Sequence, residues 1–412
     1  MTAPASSRVS SPPSGHPALG RLVSTPPEIF AGRYWGREPL LSRAAGLPRD
    51  FADLFSAVAV DELVSARGLR TPFLRVAKAG TTLPERTFTR GAGVGATISD
   101  QVSDDALFAQ FRAGATLVLQ GLHRVWAPVL RLSQELAAEL GHPTQVNAYV
   151  TPPESTGFSD HYDVHDVFVL QVEGEKQWRV RPPVHPLPLR NQPWTDRRAA
   201  VQEAAEGAPL LETTLRPGDC LYLPRGYLHS ATALGGVSIH LTVGVHPWTR
   251  HTVGQHVLRL ALARAAQDPQ VRCSLPLATD AVDPRAHPAE VDLVRAALHK
   301  AIDDLDVAEL ASALAATARG AQPAAPLRPL AQRAAVERLG PQDELRPRDH
   351  LAARWEGSDG VAVLTTRAGR LSVEPAEQAL VEQFLASRRT SAADLGLALA
   401  RRLMEQGIAV PV

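Results

Sequence analysis

The stretch GFSDHYDVHDVFVLQVEGEKQWRVRP, residues 157–182, decides how the rest of the chain is read. It sets His161 and Asp163 two residues apart, just ahead of a run of strand-forming residues. Side chains at i and i+2 of an extended segment point to the same face. An imidazole and a carboxylate on one face can grip one side of a metal ion, and a third ligand must then come from elsewhere. His229 is the candidate: in LRPGDCLYLPRGYLHSATA a second strand, CLYLP, runs into a glycine turn and then presents that imidazole. Two His and one Asp make the facial triad of non-haem Fe(II) oxygenases, which leaves positions open for a cosubstrate and O2. Taken alone, a His-x-Asp pair is equally a pair of turn residues. His165 does not extend the set, because i to i+4 along a strand spans about 13 Å; it belongs behind the ligands or faces substrate.

Lys176 is the next candidate. VFVLQV reads as a buried strand, EGE as its turn and KQWRV as the returning strand, which brings Lys176 back near the start of the neighbouring strand. There it can pair with the distal carboxylate of 2-oxoglutarate, or it is a solvated lysine at a strand end. TQVNAYVTP places Val146, Ala148 and Val150 on one strand face and Asn147 and Tyr149 on the other. That second face lines a polar pocket or meets solvent.

NAYVTPPESTGFSDHYDVHDVFVLQVEGEKQWRV, with GDCLYLPRGYLHSA downstream, resembles the Jumonji-C (JmjC) ribosomal oxygenases, a family of Fe(II)- and 2-oxoglutarate-dependent protein hydroxylases in the cupin superfamily. The likeness extends upstream to EIFAGRYWGREPLLSRA and weakly downstream into the helical tail, covering most of the chain. It implies an α+β fold: a double-stranded β-helix (JmjC/cupin) core, a helical dimerisation region and a C-terminal winged-helix-like domain. It makes His161, Asp163 and His229 the iron ligands and Lys176 the 2-oxoglutarate anchor, with Asn147, Tyr149 and Thr242 lining the cosubstrate pocket. The implied cofactors are Fe(II), 2-oxoglutarate and O2, and the implied substrate is a His or Arg side chain of a ribosomal protein. Two positions depart from the family pattern: Val164 stands where many members carry an acidic residue, and Gly244 where many carry a serine. Asp166 and Phe168 follow the bacterial members, whereas a lysine at 176 matches the animal ones.

Composition frames these readings. The chain has 412 residues, 44% hydrophobic and 21% charged, enough for a large core and several domains. Lys+Arg and Asp+Glu stand at 43 each, which gives no global field for nucleic acid or acidic membranes and leaves room for a local basic patch. Only 2 cysteines, Cys220 and Cys273, argue against a disulfide framework and for a reducing compartment. No stretch approaches 18 apolar residues and no signal peptide is legible, so a cytoplasmic protein is expected.

In order, residues 1–20 are Ser/Pro/Ala-rich and read as a mobile tail, and 21–250 as the oxygenase domain. Within that domain, Tyr34 and Trp35 read as packing residues after a short helix. A helix is expected from Asp61 to about Gly68, a buried strand in ATLVLQGL, and an amphipathic helix in VLRLSQELAAEL. The proline-rich loop after Trp178, with Arg190, Asn191 and Trp194, borders the substrate mouth or reflects drift in loop length. His240 and His246 read as supporting imidazoles. Residues 251–338 carry Ala and Leu at helical spacing, a bundle or dimer interface ending in a linker. Residues 339–412 read as a hairpin, a helix and a second helix from Ser391 to Met404, a winged-helix-like unit whose mixed charge favours protein packing over DNA. Two rival functions remain at this level: a small-molecule or modified-peptide hydroxylase with the same iron site, and a non-enzymatic cupin-like DNA-binding regulator. Demethylation of an N-methyl group would use the same chemistry as hydroxylation.

Overall fold

The computed structural model describes residues 16–412 apart from 79, 96, 278–282, 284, 286 and 357–361. Residues 1–15 of the expected tail lie outside the described residues. Its last part is ordered: Pro17–Gly20 forms a helical turn whose Ala18 and Leu19 are buried. The Glu139 carboxylate accepts from both of their backbone N–H groups at 2.8 Å, which ties the segment down at a helix start.

The chain divides into two compact units, one ending at Pro247 and the other running from Trp248 to Val412. The first is built around an antiparallel sheet whose two longest strands are Asp166–Arg181 and Leu228–Val245. They pair along almost their whole length, from Leu228 opposite Arg181 to Val245 opposite Asp166. Thr144–Thr151 adds to the far side of Leu228–Val245, and Cys220–Leu223 and Leu211–Leu215 add to successive halves of Asp166–Arg181. Thr116–Leu119 and Leu74–Lys78 continue the sheet beyond Thr144–Thr151.

This corrects two expectations. EGE is not the turn of a hairpin, since Asp166–Arg181 is one strand of 16 residues, and the His229 strand and the last core strand are likewise one element of 18 residues. The continuity raises a question of parity. Val167 and Val169 line the same pocket as Lys176 and Trp178, yet strict alternation from Val169 would turn Lys176 to the opposite face. The irregularity between the two halves of the ladder, where the register shifts between Leu234 and His240, supplies the missing residue. Gly174 sits there with φ +65°, and Gln171 pins the bend by donating to the carbonyls of Glu173 and Gly174 and to Ser238 Oγ at 2.8, 3.1 and 2.9 Å. A Cβ on Gly174 would lie 2.1 Å from the Val237 carbonyl oxygen. Gly174→Ala is therefore expected to destabilise the protein by at least about 2 kcal/mol, from the left-handed backbone and the clash together. Urea denaturation checks it, an unchanged midpoint counting against the parity argument.

Outside the pocket, the other strand faces carry Val146, Ala148, Val150, Phe168, Leu170, Leu241 and Val243 into the main core. Helix Ala127–Leu140 covers that face through Val129, Leu132 and Leu136. The helix expected from Asp61 begins earlier, at Ala57, because the Ser56 hydroxyl caps it by accepting from the Ala59 N–H.

In the second unit, helices Arg250–Ala265, Pro288–Asp303 and Val307–Ala321 occupy the region of helical spacing. Helix Pro329–Arg338, expected as linker and bundle, shares a core with the C-terminal residues instead: Val336 is buried there, and Gln332 Nε2 donates to the carbonyls of Met404 and Ala409. Two small sheets, Glu344–Pro347 with Thr390–Ser391 and Ala409–Pro411, and Arg354–Glu356 with Ala362–Thr366 and Gly369–Val373, accompany helix Pro375–Ala386. The expected Ser391–Met404 helix is two pieces, Ala392–Leu395 and Leu397–Glu405, parted by Gly396 at φ +76°. Among the described residues, no helix is long and apolar enough to cross a membrane.

Candidate metal and cosubstrate site

His161 and His229 face each other across a backbone bridge. The His161 N–H donates to the His229 carbonyl at 3.2 Å and the His229 N–H returns to the His161 carbonyl at 2.8 Å. Directly opposed residues of an antiparallel pair project to the same side, so the rings meet with centroids 4.4 Å apart. Two residues on, the Asp163 carbonyl accepts from the Gly226 N–H at 3.0 Å, which holds the His-x-Asp segment against the turn before His229. Asp163 Oδ2 then lies 3.8 Å from His229 Nε2, and one ligand atom from each of the three residues falls within 4.8 Å of the others.

The tautomers are fixed as well. His161 Nδ1 lies 2.7 Å from the Ser159 carbonyl and His229 Nδ1 3.1 Å from the Tyr227 carbonyl. A carbonyl only accepts, so both Nδ1 atoms carry the proton and both Nε2 lone pairs are free to bind a metal. Burial, with His161 next in weight, holds the His229 ring down to about pKa 4, in its neutral, ligating form. Burial disfavours the Asp163 charge, but His165, His229, His161 and Arg75 together outweigh it and leave the carboxyl below its usual range. Two neutral imidazoles and one carboxylate with open positions suit a divalent first-row metal.

The turn that presents His229 is anchored from outside. Tyr222 donates to Asp166 Oδ2 at 2.8 Å and accepts from the Gly36 N–H at 2.8 Å, while Asp166 Oδ1 accepts from the Arg225 N–H at 3.0 Å. Phe30 and Trp35 pack on the Tyr222 ring, with centroids 4.9 and 6.1 Å away, which bears out the packing role expected of Trp35. Tyr34 also packs against this core. Tyr222→Phe is expected to lower stability by about 1–3 kcal/mol, the cost of a buried carboxylate and a backbone N–H losing their partner, read as a lower denaturation midpoint.

Lys176 is 4% exposed, and its Nζ donates to Thr151 Oγ1 at 3.0 Å. Among the described residues it has no carboxylate partner, and burial draws its pKa down from 10.5 to about 7. It lines one pocket together with His161, Asp163, His229, Tyr149 and Thr242, a space of about 500 Å³ including its mouth. A lone ammonium buried in the wall of a pocket that also holds a potential metal triad is a receptor for an anion. The solvated-lysine alternative does not hold.

Of the other expected pocket residues, Tyr149 and Thr242 lie in this space. Asn147 sits opposite Thr242 in the ladder and is not among the pocket's lining residues, and its Oδ1 accepts from the Gly121 N–H at 3.1 Å, which braces a neighbouring turn. His165 is not one of the three clustered ligand residues; its Nε2 lies 3.4 Å from Gln145 Nε2 and its ring packs edge-on against His246. Trp194 lies beside the triad, its ring 6.4 Å from that of His161, but is not among the pocket's lining residues. The lining also includes residues not singled out in the sequence for the pocket, among them Thr116, Phe158, Trp178 and Ser230. His240 stacks on Tyr149 at 4.9 Å and its Nδ1 has no partner among the described residues. The i, i+2 relation of His240 to Thr242 was the signal that could have placed it in the pocket.

Two histidines and an aspartate that could hold a metal ion thus share one pocket with a buried lysine. Residues 125–253 match the family model for the JmjC domain. The chain is 33% identical over 250 residues to Ribosomal oxygenase 1 of Bos taurus, across 59% of this chain and 35% of that protein. It is 30% identical over 223 residues to the bifunctional lysine-specific demethylase and histidyl-hydroxylase NO66 of Aedes aegypti, across 54% of this chain and 33% of that protein. These matches thus span about a third of each relative's length. The crystal structure of Escherichia coli ribosomal oxygenase YcfD is similar with a TM-score of 0.55 at 16% identity, covering 95% of this chain and 99% of that one. The likeness is one of fold.

Proposed function

We propose that the protein is an Fe(II)- and 2-oxoglutarate-dependent oxygenase that hydroxylates a protein side chain, a His or Arg of a ribosomal protein. One observation carries this reading: the three ligating side chains share a pocket with a buried ammonium that no carboxylate of the described residues neutralises. His161, Asp163 and His229 would hold iron, which when bound supplies the O2 chemistry of the reaction. Lys176 would hold the distal carboxylate of 2-oxoglutarate, with Thr151 fixing the ammonium in position. Tyr149 and Thr242 would line the cosubstrate, and the apolar Val167, Val169 and Trp178 around it exclude water and strengthen the charge pair.

The ribosomal substrate is supported by the names of the relatives, Ribosomal oxygenase 1 and histidyl-hydroxylase NO66. Structures of the fold relative YcfD with cobalt and 2-oxoglutarate support the cofactor set. A homodimer through residues 251–338 is supported by exposed apolar side chains on two of its helices: Val253, Leu258 and Leu262 on one, Val291, Leu293 and Val294 on the other. Cytoplasmic residence is supported by two unpaired cysteines, Cys220 buried and Cys273 exposed. The test is incubation of the iron-loaded protein and 2-oxoglutarate with ribosomal proteins, and then mass spectrometry. A gain of one oxygen on a His or Arg is the expected result. No gain on any of them, with succinate still formed, would remove the ribosomal substrate and favour a small-molecule hydroxylase. Metal binding without succinate would favour a regulator.

A further inference from the structure

Although the chain carries no net charge, its arginines are not evenly spread. In the second unit an open trough of about 1580 Å³ is lined by Arg346, Arg348, His350, Arg354 and Arg388. Asp349, the one carboxylate among these described lining residues, is engaged by Arg346 at 2.9 Å. Arg348 spends its Nε and Nη1 on the carbonyls of Ala325 and Gly407, at 2.6 and 3.4 Å, which fixes the guanidinium plane without neutralising it. Behind the trough, Arg367 donates to the His350 carbonyl at 2.9 Å, and its Nε is buried with no partner among the described residues. Among the described residues no carboxylate forms an ion pair with Arg348, Arg354, Arg367 or Arg388, while nearby arginines are paired. Burial holds Arg348 and Arg367 below their ordinary pKa, a penalty that an incoming anion relieves.

The backbone of the trough adds a second feature. His350 and Ala352 adopt φ of 59° and 50°, the left-handed region that side chains other than glycine seldom enter. Between them Leu351 is buried in the core of the unit. Among the described residues, the N–H groups of residues 349–353 donate to no backbone carbonyl. Successive backbone N–H groups turned to one side by left-handed residues can form a concavity that receives anions.

We propose that this trough binds the phosphate groups of a single-stranded nucleic-acid backbone. Guanidinium forks match phosphate oxygens bidentately. The trough is far larger than one phosphate ion, with room for successive phosphates. Among the described residues no Phe, Tyr or Trp lines it, so base stacking is absent and binding is indifferent to sequence and sensitive to salt. An acidic peptide would meet the same guanidinium groups, so poly-glutamate is the competitor that separates the two in the test below.

The test is fluorescence anisotropy of the full chain with a labelled single-stranded RNA oligonucleotide across a salt series. The side chains of Arg354 and Arg388 have no hydrogen bond to the rest of the described protein, so the Arg354→Glu/Arg388→Glu variant probes charge without removing a structural contact. It is expected to bind at least about tenfold more weakly, with the slope of log K against log salt reduced by roughly 1.4, two contacts at about 0.7 each. Arg333→Glu, which alters an exposed arginine paired with Glu337 elsewhere on the unit, is expected to leave affinity within about twofold. Should the double variant melt lower than the parent, Arg388→Glu alone carries the comparison. Unchanged affinity in these variants would overturn the proposal. So would displacement of the RNA by poly-glutamate as readily as by unlabelled RNA, or binding of inorganic phosphate without binding of RNA.

Discussion

His229→Ala is expected to abolish succinate formation and to weaken binding of Co(II), a spectroscopic substitute for iron, by more than about 100-fold. Changes to groups that merely orient a metal ligand cost about 10–100-fold in affinity, and here a ligand itself is removed. The effect is local, because the backbone bridge between residues 161 and 229 uses main-chain atoms that alanine retains. Circular dichroism of the variant should therefore match the parent while the cobalt absorption bands disappear. Retention of the bands would mean that the metal is held without residue 229, and the triad would be wrong.

Lys176→Met is expected to raise the dissociation constant for 2-oxoglutarate by roughly 10²- to several times 10³-fold, since removing one partner of a buried charge pair costs about 3–5 kcal/mol. The same variant should have the opposite effect on stability without ligand. The Lys176 ammonium is buried beside a hydroxyl and lacks a counter-charge, with its folded pKa near 7 against 10.5 in the unfolded chain. Between those values the unfolded state binds the proton that the folded state has released, so stability of the ligand-free protein rises with pH through that window. Below pH 7 both states hold the proton and the burial penalty is complete. The ligand-free Met variant should thus be more stable than the parent near pH 6, by a few kcal/mol at most, and the gap should close toward pH 10. Thermal melts across this range, with and without 2-oxoglutarate, check both halves. Equal stabilisation of parent and variant by the ligand would dissociate Lys176 from the anion.

The triad was legible because the backbone does most of the arranging. His161 and Asp163 are neighbours in sequence, and His229 comes after a turn whose PGD and PRG signals survive in the fold. Lys176 was legible as a residue but not as a route. Residues 173–175 read as a hairpin turn because glycine between glutamates is a turn signal, whereas tertiary pairing with Leu228–Val245 keeps the strand going and uses Gly174 only to change which side faces inward. Asn147 shares a face with Tyr149 in the alternation pattern, yet the amide is claimed by Gly121, a contact that strand periodicity does not encode. Gly396 breaks the final helix for a similar reason: apolar spacing continues across it, but the φ of +76° does not. The gathering of arginines around residues 346–354 and 388 was invisible because total charge says nothing about where charges fold together.

The two long strands share a ladder, and this fixes a distance within the pocket. His229 is opposite Val180, and Lys176 opposite Ala233, four residues along the same pairing. An iron ligand and the lysine proposed for the distal carboxylate are thus mounted on one hydrogen-bonded frame, and neither can shift without breaking ladder bonds. The frame acts as a ruler for carbon chain length. Oxaloacetate, one methylene short, and 2-oxoadipate, one methylene long, should each reach only one of the two grips.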